Sequence, residues 1–186
     1  MVSIAALWLP ILLSGVFVFV VSSVIHMALR YHRKDYAALP DEEAARAVLG
    51  KQNLARGQYV VPFACDMKQM REPATVRKYD EGPVVMLTVL AKGSPRIGPR
   101  LVQWFAFSIV IAVFVAYLTG RTLATGTPPM QVFRFASTIA WLGYGGGIVW
   151  TGIWKSAPWS KVWLDVFDAL VYGICTGGAF AWFWPR

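Results

Sequence analysis

The sequence predicts an all-α membrane protein, with four transmembrane helices and a small cytoplasmic α+β insertion between the first and the second. Three observations carry this expectation. Apolar residues make up 56% of the 186 positions and charged residues only 15%, whereas a soluble domain carries about 25% charged residues. The apolar residues are gathered into long runs instead of alternating with polar ones. The basic residues are concentrated in one stretch near the middle of the chain. This hydrophobicity excludes disorder, and two cysteines are too few for a disulfide-stapled secreted fold.

Crossing a bilayer takes about 20 mostly apolar residues per helix. Four stretches meet that length: Ile4 to Leu29, Leu101 to Gly120, Val132 to Trp154 and Val162 to Trp184. In hydrocarbon every backbone amide must be satisfied within its own helix, which leaves helices as the expectation at these lengths. The chain is thus divided into a first span (1–30), a cytoplasmic segment (31–100) and spans two to four (101–186). The first stretch lacks a basic start and a small-x-small cleavage site, so it is expected to be a retained helix and not a secretory signal. Pro10 falls near its start, where a missing amide donor costs little.

Orientation follows from the basic residues. The connection from Arg30 to Arg100 holds 13 of the 18 Lys and Arg residues, and Lys155 and Lys161 lie in the turn between spans three and four. The positive-inside rule places these on the cytoplasmic side of a bacterial inner membrane, with both termini on the outer, periplasmic side. Tryptophans fit the same layout, with Trp8, Trp182 and Trp184 at the outer interface and Trp104, Trp154, Trp159 and Trp163 at the inner one. The net charge of +8 then faces an anionic leaflet. No nucleic-acid partner is expected, because no binding motif or basic face with interleaved aromatics is present.

About 70 residues between spans one and two exceed what a turn needs, so a folded segment is expected. Pro40-Asp41-Glu42-Glu43 predicts a helix start whose acids suit the N-terminal dipole, with Gly50 as the stop. Tyr59-Val60-Val61 reads as a short strand, Glu72 to Tyr79 as a short helix from Pro73, and Val84 to Leu90 as the best strand. The two strands are expected to pair.

A charge inside a span costs at least about 2.5 kcal/mol, so each one needs a reason. At 100° per residue, Asp165, Asp168, Tyr172 and Thr176 share one face of the fourth span, a polar stripe expected to look into the bundle. Gly15, Ser22 and His26 form a narrower stripe on the first. His26 and Asp165 each lie roughly 6 Å inside the inner boundary, with Asp168 somewhat deeper. His26 is therefore expected to meet Asp165 or Asp168 across a helix contact. The functional version of that pairing is a proton-responsive or ligand-binding site. The structural version is a hydrogen bond or ion pair, including Arg30 or Lys161, that fixes how spans one and four meet.

Imidazole chemistry also makes His26 a candidate axial ligand for haem or chlorin. His32 lies beyond the span and is not expected to supply the second ligand. No other metal site is expected, since Cys65 and Cys175 fall far apart and no Cys/His cluster exists. No nucleophile elbow, phosphate loop, His-Glu-x-x-His or dinucleotide fingerprint occurs, and no catalytic residues are expected. Gly143 and Gly147 in the third span, with Gly173 and Gly177 in the fourth, make two small-xxx-small patterns that predict tight pairing of those spans. Gly145 and Gly146 in the third span and Gly178 in the fourth belong to the same glycine-rich stretches. The alternative is a glycine face that admits a ligand or a foreign helix.

Ser22-Ser23-x-x-His26, Gly82-Pro83-Val84, Pro158-Trp159-Ser160 and Asp165-x-x-Asp168-x-x-x-Tyr172-Gly173 together resemble a group of small four-helix bacterial inner-membrane proteins. The resemblance covers most of the chain; it implies the fold and carries over no activity. The expected function is that of a non-catalytic accessory subunit in an energy-transducing complex, respiratory or photosynthetic. Trp141, Trp150, Phe105, Phe107, Phe114 and Phe180 would offer apolar faces to other membrane-protein subunits, pigment or lipid. The alternative is a small transporter, channel or proton-linked sensor that uses His26, Asp165 and Asp168. The expected partners are the lipid bilayer and other subunits; bound lipid is expected and no cofactor is required.

Overall fold

The long apolar runs are helical in the computed structural model, which describes residues 1–29 and 31–186. In chain order the elements are α1 (Trp8–Met27, entered through a 3-10 turn at Ala5–Leu7), α2 (Glu42–Lys51), β1 (Gly57–Val61), α3 (Met67–Met70), α4 (Pro73–Glu81), β2 (Val85–Val89), α5 (Ile97–Thr122), α6 (Pro129–Gly145), α7 (Ile148–Lys155) and α8 (Trp159–Trp182). A second 3-10 turn covers Tyr31–Lys34. The chain divides into two units: Met1–Tyr36 with Arg96–Arg186, and Ala37–Pro95. Residues 31–36 thus go with the helices and not with the insertion.

Three helices are long and apolar enough to cross a membrane: Ala5–Met27, Ile97–Thr122 and Trp159–Trp182. The 26 residues of α5 span about 39 Å at the usual rise. The expected third span is not one helix. It is interrupted at Gly146-Gly147 and divided between α6 and α7. Three glycines in a row, each among the poorest helix formers, account for the break. The dihedrals at Gly146 and Gly147 remain right-handed helical, so the chain continues in the same general direction. Ser156, with φ 51°, ends α7 in a left-handed turn, and Pro158 precedes α8.

Within this unit α8 packs on α6 and on α1, α1 packs on α5, and α5 packs on α6, which closes a ring of four neighbours. Close van der Waals packing holds the ring together. Small buried residues permit it: Ala112 and Ala116 on α5, Ala136 and Ala140 on α6. Leu7, Val115, Val132 and Phe180 complete the core. Phe180 is fully buried and offers no face to a foreign subunit, which corrects the expectation for that residue.

The glycine faces also need revision. A methyl at Gly173 or Gly177 would come within 2.9 Å of the carbonyl oxygen of Ser137 or Phe133, so these two seat α8 directly on the α6 backbone. Gly143 instead faces Ile111 of α5, Gly147 faces open space, and it is Gly145 that meets Ala169 of α8. The α8 half of the expected pairing is present, and on α6 its partners are Phe133, Ser137, Trp141 and Gly145.

One end of the bundle is laced by hydrogen bonds: Val2 N–H to the Gly120 carbonyl (2.8 Å), Gly126 N–H to Pro185 (2.9 Å) and Trp184 Nε1–H to Ala124 (2.9 Å). Trp184 is therefore buried, not spread at an interface. Trp104 likewise turns inward and donates to Ser22 Oγ at 2.8 Å.

In the second unit β1 and β2 pair antiparallel, with Tyr59 opposite Leu87. Asp41 caps α2 by accepting from Ala44 N–H. That helix runs through Gly50 to Lys51, one residue past the expected stop. The short α3, capped by Asp66, lay in a stretch with no sequence signal strong enough to predict it. The Tyr79 hydroxyl on α4 donates to the Pro62 carbonyl at 3.2 Å, which fastens that helix to the end of β1.

Candidate functional site

The polar stripe of α8 does look into the bundle: Asp168, Tyr172 and Thr176 are all buried. Asp168 is the centre of the site. Its Oδ1 accepts from the Tyr31 hydroxyl at 2.5 Å, and its Oδ2 lies 2.7 Å from His32 Nε2 and 4.0 Å from His26 Nε2. Tyr172, one turn further on, has its hydroxyl 3.4 Å from the same His26 nitrogen.

His32 is held from both sides. Its Nδ1 lies 2.7 Å from Oδ2 of Asp35, three residues on and just past the 3-10 turn. His32 is not among the residues the sequence predicts for the cluster; the turn after α1 folds back on itself and brings its ring beside α8. His26 and His32 lie 4.6 Å apart between ring centroids at an interplanar angle of 40°. Two imidazoles this close leave no room between them for a porphyrin or chlorin plane, so they do not form a bis-axial pair.

Of the two acids offered to His26, Asp168 is the one beside it, and Asp165 pairs with Lys161. Its Oδ2 accepts from Lys161 Nζ at 2.7 Å, one helical turn away, and the same ammonium lies 3.6 Å from Asp35 Oδ2. The cluster is thus a chain, Asp165–Lys161–Asp35–His32–Asp168, with Tyr31 and His26 at its inner end. Arg30, the other basic residue considered for it, lies outside the described residues.

The electrostatics follow from this geometry. Whichever nitrogen of a neutral His32 carries the proton, the other turns a lone pair on a carboxylate at 2.7 Å. Both contacts are satisfied by one further proton, held on the imidazole as an imidazolium or on one of the two carboxyls. Burial opposes charge on His32, but hydrogen bonds to Asp35 and Asp168 outweigh it and raise the group's pKa. For Asp35, burial is likewise outweighed by His32 and Lys161, which lower its pKa. Burial and the bond to Asp168 push the Tyr31 phenol far above its ordinary value.

Deeper in the bundle, next to this cluster, aromatic rings fill the interior. Tyr172 packs on Tyr144 at 5.5 Å and on Trp104 at 5.7 Å, and Trp104 reaches Tyr144 at 6.0 Å. Beyond them Thr176 Oγ1 and the Tyr144 hydroxyl are buried without a hydrogen-bond partner among the described residues. Thr176 thus continues the stripe without joining the charged cluster.

No protein-family model, no curated protein and no solved structure matches this chain.

Proposed function

We propose that this chain is a small multi-pass membrane protein that senses a cation at the cytoplasmic end of its helical bundle. It keeps the His/Asp cluster of the transporter, channel or proton-linked sensor alternative and puts a cation in place of the proton. The observation that supports it most is the convergence of His26, His32, Asp35, Lys161, Asp165 and Asp168 on one spot, with Asp168 only 4% exposed. Isolated structural hydrogen bonds between membrane helices use one or two polar groups, whereas clustered intramembrane charges mark ion sites. The packed rings of Trp104, Tyr144 and Tyr172 favour a sensor over a channel, because they occupy the interior that a through-path would need.

Residues 31–36 supply the readout. Tyr31, His32 and Asp35 dock this turn on α8, and the second unit follows directly at Ala37. A cation that strengthens the docking holds the turn; its loss releases it. The fourth crossing, through α6 and α7, and the inner-membrane placement with both termini outside belong to the same proposal. The distribution of Lys and Arg supports that placement.

The test is tryptic cleavage after Arg33 and Lys34, both exposed on this turn, in purified protein in detergent. Cleavage at Arg56 in the second unit serves as the internal reference. The expected result is several-fold slower cleavage at 33–34 in at least one of Na⁺, K⁺, Mg²⁺, Ca²⁺ and Zn²⁺, with that protection lost in Asp168→Asn. Equal cleavage ratios in every cation would overturn the proposal.

The accessory-subunit reading ranks second. It draws on exposed aromatics such as Phe114, Trp150 and Trp154, which acyl chains cover as readily as a foreign helix does. Constant partners found by mass spectrometry after native purification would promote it.

A further inference from the structure

We propose that His26, His32 and Asp168 form a binding site for a transition-metal dication of the zinc class. The inference rests on the cation-sensing reading and names the ion. One donor atom from each of the three residues lies within 4.8 Å of the other two. His32 Nε2 and His26 Nε2 both approach the same oxygen, Asp168 Oδ2, at 2.7 and 4.0 Å. In a tetrahedral zinc site with bonds of about 2.0–2.1 Å, neighbouring donors stand about 3.3 Å apart. A metal would therefore push His32 and Asp168 slightly apart and draw His26 slightly in.

The outer partners support a metal independently of that spacing. A histidine that ligates through one nitrogen almost always gives its other N–H to a carboxylate or carbonyl, and a ligating carboxylate is itself hydrogen-bonded. Both partners are in place. Asp35 sits on His32 Nδ1 at 2.7 Å, which leaves Nε2 as the ligating atom, and Tyr31 holds the free oxygen of Asp168. His26, with its side chain 51% exposed, gives the ion a way in and leaves a position for water.

Charge points the same way. Among the described residues of the cluster, Asp35 and Asp165 share the single ammonium of Lys161, and Asp168 faces only the two imidazoles. With neutral imidazoles two negative charges remain, and a dication cancels them. Without metal, an Nε2 proton on His32 holds the place; it leaves to solvent as the metal binds, and the bond formed is metal–nitrogen. Two imidazoles and one carboxylate suit Zn²⁺ and its first-row neighbours, whereas Mg²⁺ and Ca²⁺ prefer oxygen alone. A second possible set, His32, Asp35 and Asp165, already has Lys161 Nζ on Asp165 at 2.7 Å, which fills the cation's place.

The experiment is titration of chelator-stripped protein in detergent with Zn²⁺ by calorimetry, and with Co²⁺ by visible absorption. Expected are one ion per chain, the intense bands of four-coordinate cobalt, and nitrogen/oxygen-only ligation by X-ray absorption. His26→Ala should weaken Zn²⁺ binding by more than the about 10–100-fold that a lost outer partner costs, and Tyr31→Phe should weaken it within that range. His26 is half-exposed, so His26→Ala should leave the metal-free melting temperature close to wild type, and each variant's melting curve checks this. Failure to bind stoichiometric Zn²⁺, or undiminished binding in a folded His26→Ala, overturns the site. Proteolytic protection at 33–34 by Mg²⁺, Ca²⁺ or a monovalent ion but not by Zn²⁺ sinks this inference and leaves the sensor reading standing. Tight Zn²⁺ binding with the cobalt signature but no protection by any cation does the reverse.

Discussion

Tyr31 and Asp168 are 137 residues apart in sequence and joined by a 2.5 Å hydrogen bond, the phenol donating to the carboxylate. The bond fastens the chain just past α1 to the third turn of α8. In doing so it turns a polar residue that would read as solvated into part of a buried network.

Tyr31→Phe keeps the ring and removes only the donor. A hydrogen bond to a charged group contributes about 1.5–3 kcal/mol, and a loss in that range is expected in denaturant unfolding of the metal-free protein. Stability unchanged within error would show that the phenol contributes no net hydrogen bond.

Gly177 in α8 and Gly147 between α6 and α7 should respond in opposite directions. Gly177→Ala drives a methyl against Ser137 and to 2.9 Å from the Phe133 carbonyl oxygen, and overpacking of this kind costs about 1–3 kcal/mol. Gly147, between α6 and α7, meets nothing within 4 Å and has backbone angles that alanine adopts, so Gly147→Ala should stabilise by about 0.4–1 kcal/mol by restricting the unfolded chain. Thermal denaturation of the two variants side by side reads the difference in sign.

Ser22 and Trp104 form a second interhelical bond, indole N–H to hydroxyl at 2.8 Å. A double-mutant cycle with Ser22→Ala and Trp104→Phe should give a coupling of about 0.6 kcal/mol, and no more than about 1.7. A coupling near zero would mean that the indole finds another acceptor when Ser22 is lost.

Asp41 accepts from Ala44 N–H at 2.9 Å at the start of α2. Asp41→Ala should cost about 1 kcal/mol in that helix. Hydrogen exchange should show faster exchange confined to the first turn of α2, while the amides of α1, α5 and α8 keep their protection.

Much of the site was legible in the sequence through a single regularity, the 3.6-residue period. It put Asp165, Asp168, Tyr172 and Thr176 on one face of the fourth span, and basic-residue counting put His26 at the same end. His32 escaped because a polar residue beyond the end of a span reads as loop. The available signal was local: Tyr31-His32-x-x-Asp35 directly after the helix, with the spacing of a tight turn. Phe180 was misplaced for a different reason, since within an apolar run composition does not separate lipid-facing from core-facing positions. The glycine run of the third span was read for its small side chains, while its poor helix propensity decided the break at Gly146-Gly147.

The aromatic seal formed by Trp104, Tyr144 and Tyr172 has an electrical consequence. An ion seated beside the last turn of α1 and stopped there traverses little of the transmembrane field. A full crossing would couple to voltage at about 2.3 kcal/mol per elementary charge per 100 mV; here that work is nearly absent. Occupancy would then track the free ion concentration on one side of the bilayer and stay indifferent to whether the cell is energised.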